Sequence, residues 1–181
     1  MARRRLSTWA LVTGALLGVA VTLTAMAIWF WPDRDPTPVL TPEALTAATR
    51  RWAANGVANY DLELELWGQR EGTIRTKVRN GVIVEHTNSG RTPPQRSWHA
   101  WSVEGMLETI ERELDILAED AAASRSATSP SALRAEFDPQ YGYPRKFRRL
   151  ALGASERASN RDIGWQVTRF EPVDRHGKAT E

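Results

Sequence analysis

Tyr60-Asp61-Leu62-Glu63-Leu64-Glu65-Leu66-Trp67 alternates without a break: Tyr60, Leu62, Leu64 and Leu66 point to one side, Asp61, Glu63 and Glu65 to the other. Successive side chains of an extended chain face opposite ways, so this is a strand with one face for a core and one for water. Thr73 to Arg79 repeats the pattern, with Ile74, Thr76 and Val78 against Arg75, Lys77 and Arg79, and Gly68 and Gly72 bracket the connection. An antiparallel hairpin then sets Glu65 opposite Arg75, Glu63 opposite Lys77 and Asp61 opposite Arg79. Each such pair contributes about 0.2–1 kcal/mol, enough to select a register rather than to hold the fold. Asn80-Gly81 supplies a type I′ turn, because both residues accept positive φ, and a third strand from Val82 to His86 pairs back. A regular two-residue turn puts Val82 and Val84 on the face of Arg79 and Lys77 and leaves Ile83 toward the core. A bulge, or a cover over that outer face, reconciles the pattern.

Upstream, Thr41-Pro42-Glu43 is an N-cap, a first-turn proline and a first-turn acid, with Leu40 and Leu45 spaced as a hydrophobic staple. The helix it starts runs to about Ala54, buries Leu45, Ala48, Trp52 and Ala53, and ends at Gly56 in a left-handed cap. Downstream, Asn88 to Arg96 is a polar loop holding Pro93 and Pro94. Ser102 caps a second helix whose Val103, Met106, Leu107, Ile110, Leu114, Leu117 and Ala121 recur at helical spacing, with Glu104, Glu108, Glu111, Arg112 and Asp115 opposite. Ala122 to Pro130 is a Ser- and Ala-rich connection. Three more strands follow: one through Leu133, Ala135 and Phe137, one from Arg145 to Leu150, and one from Ile163 to Phe170. The turn 138–144 separates the first two of these, and the polar loop from Gly153 to Arg161 separates the last two. These elements predict an α+β domain over residues 41–171, an antiparallel sheet covered on one face by two helices, with a frayed tail over 172–181.

Before the domain, Arg3-Arg4-Arg5 precedes an uncharged apolar run, Leu6 to Trp31, that closes on Trp29-Phe30-Trp31. Roughly 20 apolar residues span the hydrocarbon core, so 6–31 is expected to be a transmembrane helix with residues 1–5 in the cytoplasm and the rest outside it, at the cell membrane. Ala25-Met26-Ala27 has the small-x-small form of a signal-peptidase site, and cleavage there is the alternative; it would leave Ile28 to Trp31 exposed at a new terminus. Three arginines faintly resemble a twin-arginine signal, and Gly14 and Gly18 form a helix-packing G-x-x-x-G pair. Residues 32–40, with Pro32, Pro36 and Pro38, form an extended, wet linker.

The net charge is +2, of which Arg3, Arg4 and Arg5 supply +3, so the part after Trp31 comes to 2 − 3 = −1. That balance gives no electrostatic case for nucleic acid. Cysteine is absent, which excludes disulfides, thiolate metal sites and a cysteine nucleophile. His86 and His99 lack ligand spacing and are expected at exposed strand or helix ends, and His176 falls in the tail, so neither a metal nor a cofactor is expected. No G-x-S-x-G, H-E-x-x-H, P-loop or dinucleotide fingerprint occurs.

Trp52 ahead of Asn59-Tyr60, the Val78-x-Asn80-Gly81 hairpin, Val103-x-Gly105-Met106, and Phe137-Asp138-Pro139-x-Tyr141-Gly142-Tyr143-Pro144 followed by Asp162 together resemble an uncharacterised bacterial family of exported, often lipid-anchored domains. The resemblance covers about Thr41 to Glu171, and the aspartate-to-proline turn is its most specific part. It implies fold and location and brings no activity. Members commonly carry a lipobox cysteine; this chain has none, so the apolar helix is expected to be its anchor.

Two surfaces are candidates for a partner, either an envelope protein or a wall component. One is the charged sheet face of Glu63, Glu65, Arg75 and Lys77, continuous with Asp61 and Arg79; the other is Trp98 and Trp101 beside their proline loop, where paired rings suit a sugar or a peptide. Each has a plainer expectation, a solvated face and a lid over the helix start. Trp52, Trp67 and Trp165 are assigned to the core. Asp138 and Asp162 are the one candidate acid-base pair; hydrolysis needs them about 5–10 Å apart beside a cleft, whereas an aspartate in an Asp-Pro turn ordinarily accepts backbone N–H groups. The expectation is a membrane-anchored binding module, with an envelope hydrolase or a purely structural spacer as alternatives.

Overall fold

The computed structural model describes residues 36–68, 71–122, 131–151 and 163–173. The expected membrane span, most of the linker, the Ser- and Ala-rich connection, Asp162, His176 and the tail after Val173 lie outside the described residues. Among those described, no helix is long and apolar enough to cross a membrane.

From Thr37 on, the described residues belong to one compact unit. Its elements in chain order are α1 (Pro42–Asn55), β1 (Tyr60–Trp67), β2 (Gly72–Arg79), β3 (Val82–Asn88), α2 (Val103–Ala122), β4 (Ser131–Phe137), β5 (Pro144–Ala151) and β6 (Ile163–Pro172). The strands form one antiparallel sheet in the order β3-β2-β1-β6-β5-β4. The two helices cover one face of it, the α+β arrangement expected.

Thr41 caps α1, its hydroxyl accepting from Ala44 N at 3.2 Å, and Gly56 ends it at φ 58°. Leu40 and Leu45 are both buried, as a staple requires. Ser102 caps α2 through Gly105 N. Between the helices and the sheet sit Trp52, Tyr60, Leu62, Leu64, Ile74, Val78, Val103, Met106, Ile110, Leu133, Phe147 and Trp165, one continuous apolar cluster. Burying a large side chain of this kind contributes about 1.5–3 kcal/mol, so the alternation in β1, β2 and β5 is what closes the layer.

Four expectations are corrected. The β1–β2 register is displaced by two residues: Glu63 stands opposite Arg75, Asp61 opposite Lys77, and Glu65 opposite Thr73. A slip of two preserves every side chain's face, so alternation alone does not choose between the registers. Gly72 enters this ladder opposite Leu66, and on its other side the Asn88–Arg91 turn folds close, where a Cβ at Gly72 would lie 2.6 Å from Ser89 Oγ. Second, Trp67 is on the outer face, opposite Gly164, and its ring lies over that glycine. Third, the linker ends earlier than residue 40. Thr37 is buried, Val39 bridges Arg134, Leu40 N donates to Leu133 O and Ala135 N to Pro38 O, so Thr37 to Leu40 lies along the β4 edge. Fourth, β6 extends to Pro172, and Val173 N donates to Asn59 O, so the first two residues assigned to the tail are held by the sheet.

The β2–β3 ladder carries the bulge that the valine pattern demands. Lys77 pairs Glu85 and Val78 pairs Ile83, which leaves Val84 as the extra residue. Val82 and Val84 stay more than half exposed, Ile83 turns toward the core, and Glu85 is brought onto the outer face beside Lys77.

Candidate functional site

The outer face of β1, β2, β3 and β6 is a two-dimensional array of charges. Across the strands one row reads Arg169, Glu63, Arg75; the next reads Glu171, Asp61, Lys77, Glu85. Arg75 Nε lies 2.8 Å from Glu63 Oε2, Lys77 Nζ 2.8 Å from Glu85 Oε2, and Arg79 Nη1 2.7 Å from Asp61 Oδ1. Arg169 grips Glu171 through two 2.7 Å contacts. The hydrogen bond from Arg75 holds the Glu63 carboxyl below the usual carboxylate range. Asp61, Glu63, Arg75, Lys77, Glu85 and Arg169 line an open groove of about 260 Å³. Exposed pairs of this kind contribute roughly 0–1 kcal/mol each, so this face is little needed for the fold. Glu65, included with them in the sequence reading, faces Thr73 and Gln166 and has no cation directly opposite.

Trp98 and Trp101 do not form a paired platform. Both are half-buried; Trp98 Nε1 donates to Pro93 O at 2.9 Å and its ring lies 5.9 Å from His86, while Trp101 meets Trp165 edge-on at 6.3 Å. Trp98 thus lies against its own proline loop and β3, and Trp101 packs on the core. Gly105 permits the close approach of His99 to the start of α2, since a Cβ there would collide with His99 O. His99, exposed as expected, pairs with Glu108 at 3.0 Å.

The Asp138–Pro144 turn is a structural joint. Asp138 Oδ1 accepts from Gln140 N at 2.9 Å and from Tyr141 N at 2.7 Å, and Asp138 N donates to Tyr143 O. The turn is clamped to α1: Asn55 Nδ2 donates to both Arg51 O and Gln140 O. Gly142, at φ 87°, lets the turn touch the helix backbone, where a Cβ would lie 2.3 Å from Ala48 O. Tyr143 stacks on Phe170 at 4.3 Å, and burial together with Asp138 pushes its phenol up. One member of the supposed acid-base pair is thus engaged in backbone capping, and the other, Asp162, lies outside the described residues.

His86, expected to be exposed, is 1% exposed. The bulge at Val84 turns it onto the core face, where its Nδ1 meets Thr76 Oγ1 at 2.9 Å and burial lowers its pKa. No group of three metal-ligating side chains occurs among the described residues.

Sequence periodicity also assigned Glu104 to the solvated side of α2, whereas its carboxylate accepts from Trp52 Nε1 at 3.0 Å and Tyr60 OH at 3.2 Å. Tyr60 OH in turn accepts from Val103 N at 2.9 Å, satisfying a first-turn amide of α2. Burial and the Glu104 charge push the Tyr60 phenol far above its ordinary value. A tyrosine opening a strand and a glutamate in a helical first turn, each adjacent to an apolar run, were the signal available. Trp52, Trp165 and Tyr60 are core, as assigned.

The model of one protein family matches residues 44–172, from the first turn of α1 to the end of β6. No curated protein and no solved structure matches the chain.

Proposed function

The chain belongs to DUF6174, a family of unknown function, and on that premise we propose that it is a single-pass, membrane-anchored interaction module of the bacterial cell envelope. In this reading Leu6–Trp31 spans the membrane, the N-terminus is cytoplasmic, and the domain from Thr37 lies outside, meeting an envelope protein or wall component through the outer face of β1, β2 and β3. The observation that carries it is the charged array itself. Arg75, Lys77, Glu85 and Arg169 stand exposed around an open groove with Asp61 and Glu63 half-buried at its base, and ion pairs of this kind contribute little to the fold. A charged, pre-positioned surface selects partners by complementarity of potential and sets their rate of encounter.

The test is a pull-down from gently solubilised membranes with the native chain and a charge-swapped one, Glu63→Arg/Arg75→Glu. The swap keeps an ion pair across β1–β2 and inverts its pattern. The melting temperature is expected to stay within a few degrees, since exposed pairs contribute about 1 kcal/mol or less. Loss of a specific partner with the fold intact supports the module. A partner set identical for both chains, or none for either, removes this surface from the reading and favours a spacer.

A further inference from the structure

Charge is divided unevenly among the elements of the domain, with Arg149 of β5 paired to Glu113 of α2. Helix α2 carries seven carboxylates and one arginine, 1 − 7 = −6, whereas Ser131–Ala151 carries five cations against Glu136 and Asp138, 5 − 2 = +3. Arg134 and Arg148 stand directly opposite each other across the β4–β5 ladder, Lys146 shares their face, and Glu136, opposite Lys146, is paired with Arg145 at 3.3 Å. Phe147, between Lys146 and Arg148, is buried in the core, so Arg134, Lys146 and Arg148 lie on the outer side of the sheet, away from α2. Like charges directly opposed weaken a ladder, so the Arg134–Arg148 juxtaposition is a cost to the sheet. Lys146 Nζ lies 5.9 Å from the centre of the Trp67 ring, which covers Gly164 on that same face. An indole among cations suits a headgroup layer: the ring favours the interface, and the cations favour lipid phosphate.

The course of the chain favours the same location. Thr37 to Leu40 runs along β4, and Arg134 Nη1 donates to Thr37 O at 2.6 Å. Only 36 − 31 = 5 residues separate Trp31 from Thr37, a reach of about 20 Å when extended. We propose that the outer face of the β4–β5 hairpin, Arg134, Lys146 and Arg148 with the Trp67 ring, is a contact surface for anionic lipid headgroups. The inference rests on the reading of Leu6–Trp31 as a membrane span. Repulsion of α2 from the same lipids favours the same orientation. Neighbouring strands rotate by about 20–25°, so the three steps from β5 to β2 turn the partner-binding groove well away from this patch.

The chain lacks cysteine, so a single introduced thiol reports one position. Full-length protein bearing Gln166→Cys, exposed and opposite Lys146, or Glu111→Cys, exposed on α2, is labelled with bimane and reconstituted with a headgroup-nitroxide lipid as quencher. The vesicles are phosphatidylcholine alone or with about one-third phosphatidylglycerol. The Gln166 label is expected to be quenched only on anionic vesicles and released at about 1 M salt, where the Debye length is about 3 Å; the Glu111 label stays bright. In Lys146→Gln and Arg148→Gln the docked-to-free ratio falls about fivefold for each cation lost. Flotation after an alkaline wash scores the span separately. A chain stripped from both vesicle types overturns the span and the lipid contact with it. A chain that stays inserted while Gln166 quenching is absent, or is equal with and without anionic lipid, overturns the contact alone. The salt and lipid-charge comparisons use the unsubstituted patch, so they decide the matter even where a patch variant folds poorly.

Discussion

His86 makes the domain sensitive to mild acid. Buried against Thr76 and Trp98, it has a pKa below its ordinary value near 6.5, so the unfolded chain takes up a proton that the folded chain refuses. Its contribution is therefore complete above about pH 6.5 and is lost as pH falls below that, by up to about 1.4 kcal/mol per pH unit. Thermal melts at pH 7.5 and 5.5 should show the native chain losing stability in acid and His86→Gln losing distinctly less; equal losses would remove His86 as the cause. Tyr60 makes the second prediction. Tyr60→Phe strips a donor from Glu104 and an acceptor from Val103 N inside the core, so urea unfolding should register a loss of about 1–3 kcal/mol with little change in slope. Neither environment was legible beforehand. Periodicity tells which way a side chain leaves its own element, and it placed Trp52 and Trp165 correctly. It does not tell what another element brings to meet that side chain, as α1 brings Trp52 to Glu104.

At the scale of elements, the helices were legible to within a residue or two at their starts, because caps are local chemistry: Thr41, Gly56 and Ser102 act within a few residues of themselves. Strand pairing is not local, and a period of two leaves every second register equivalent. The actual β1–β2 register, with Glu63 opposite Arg75, is one of those equivalents, and the alternation does not encode it. The bulge in β3 was legible as a conflict rather than a solution, since Val82, Ile83 and Val84 are all apolar and only one turns inward. Val84 is the residue outside the ladder, so deleting it should leave Glu85 facing Lys77 and His86 facing Thr76. The shortened chain is expected to melt within several degrees of the native one and to keep the acid response of His86. A chain that loses that response, or fails to fold, would mean that the bulge carries the twist of the sheet edge rather than merely re-phasing it.

For the whole molecule, composition limited the possibilities more than any motif did. An absent cysteine, a near-neutral domain and the lack of a recognised catalytic motif pointed to a binding module, with a hydrolase or a structural spacer as the alternatives. The outer face of the sheet then divides into two regions, an array of exposed ion pairs on β1, β2 and β3 and a basic edge on β4 and β5. The first was foreseen as a charged face. The second was not, because Arg134 and Arg148 become neighbours only when β4 and β5 pair, and Trp67 reaches Lys146 only across β6. The docking of Thr37 to Leu40 has a mechanical consequence. Tension applied from the N-terminal side arrives first at the backbone bonds to Leu133 and Ala135, on an edge strand, and these open one after another in the manner of a zipper. The next structure in the load path is α1, whose far end holds the Asp138 turn. A pull from the N-terminal side would therefore peel off the edge and draw on the first helix before stressing the central strands, so these few bonds act as a mechanical fuse.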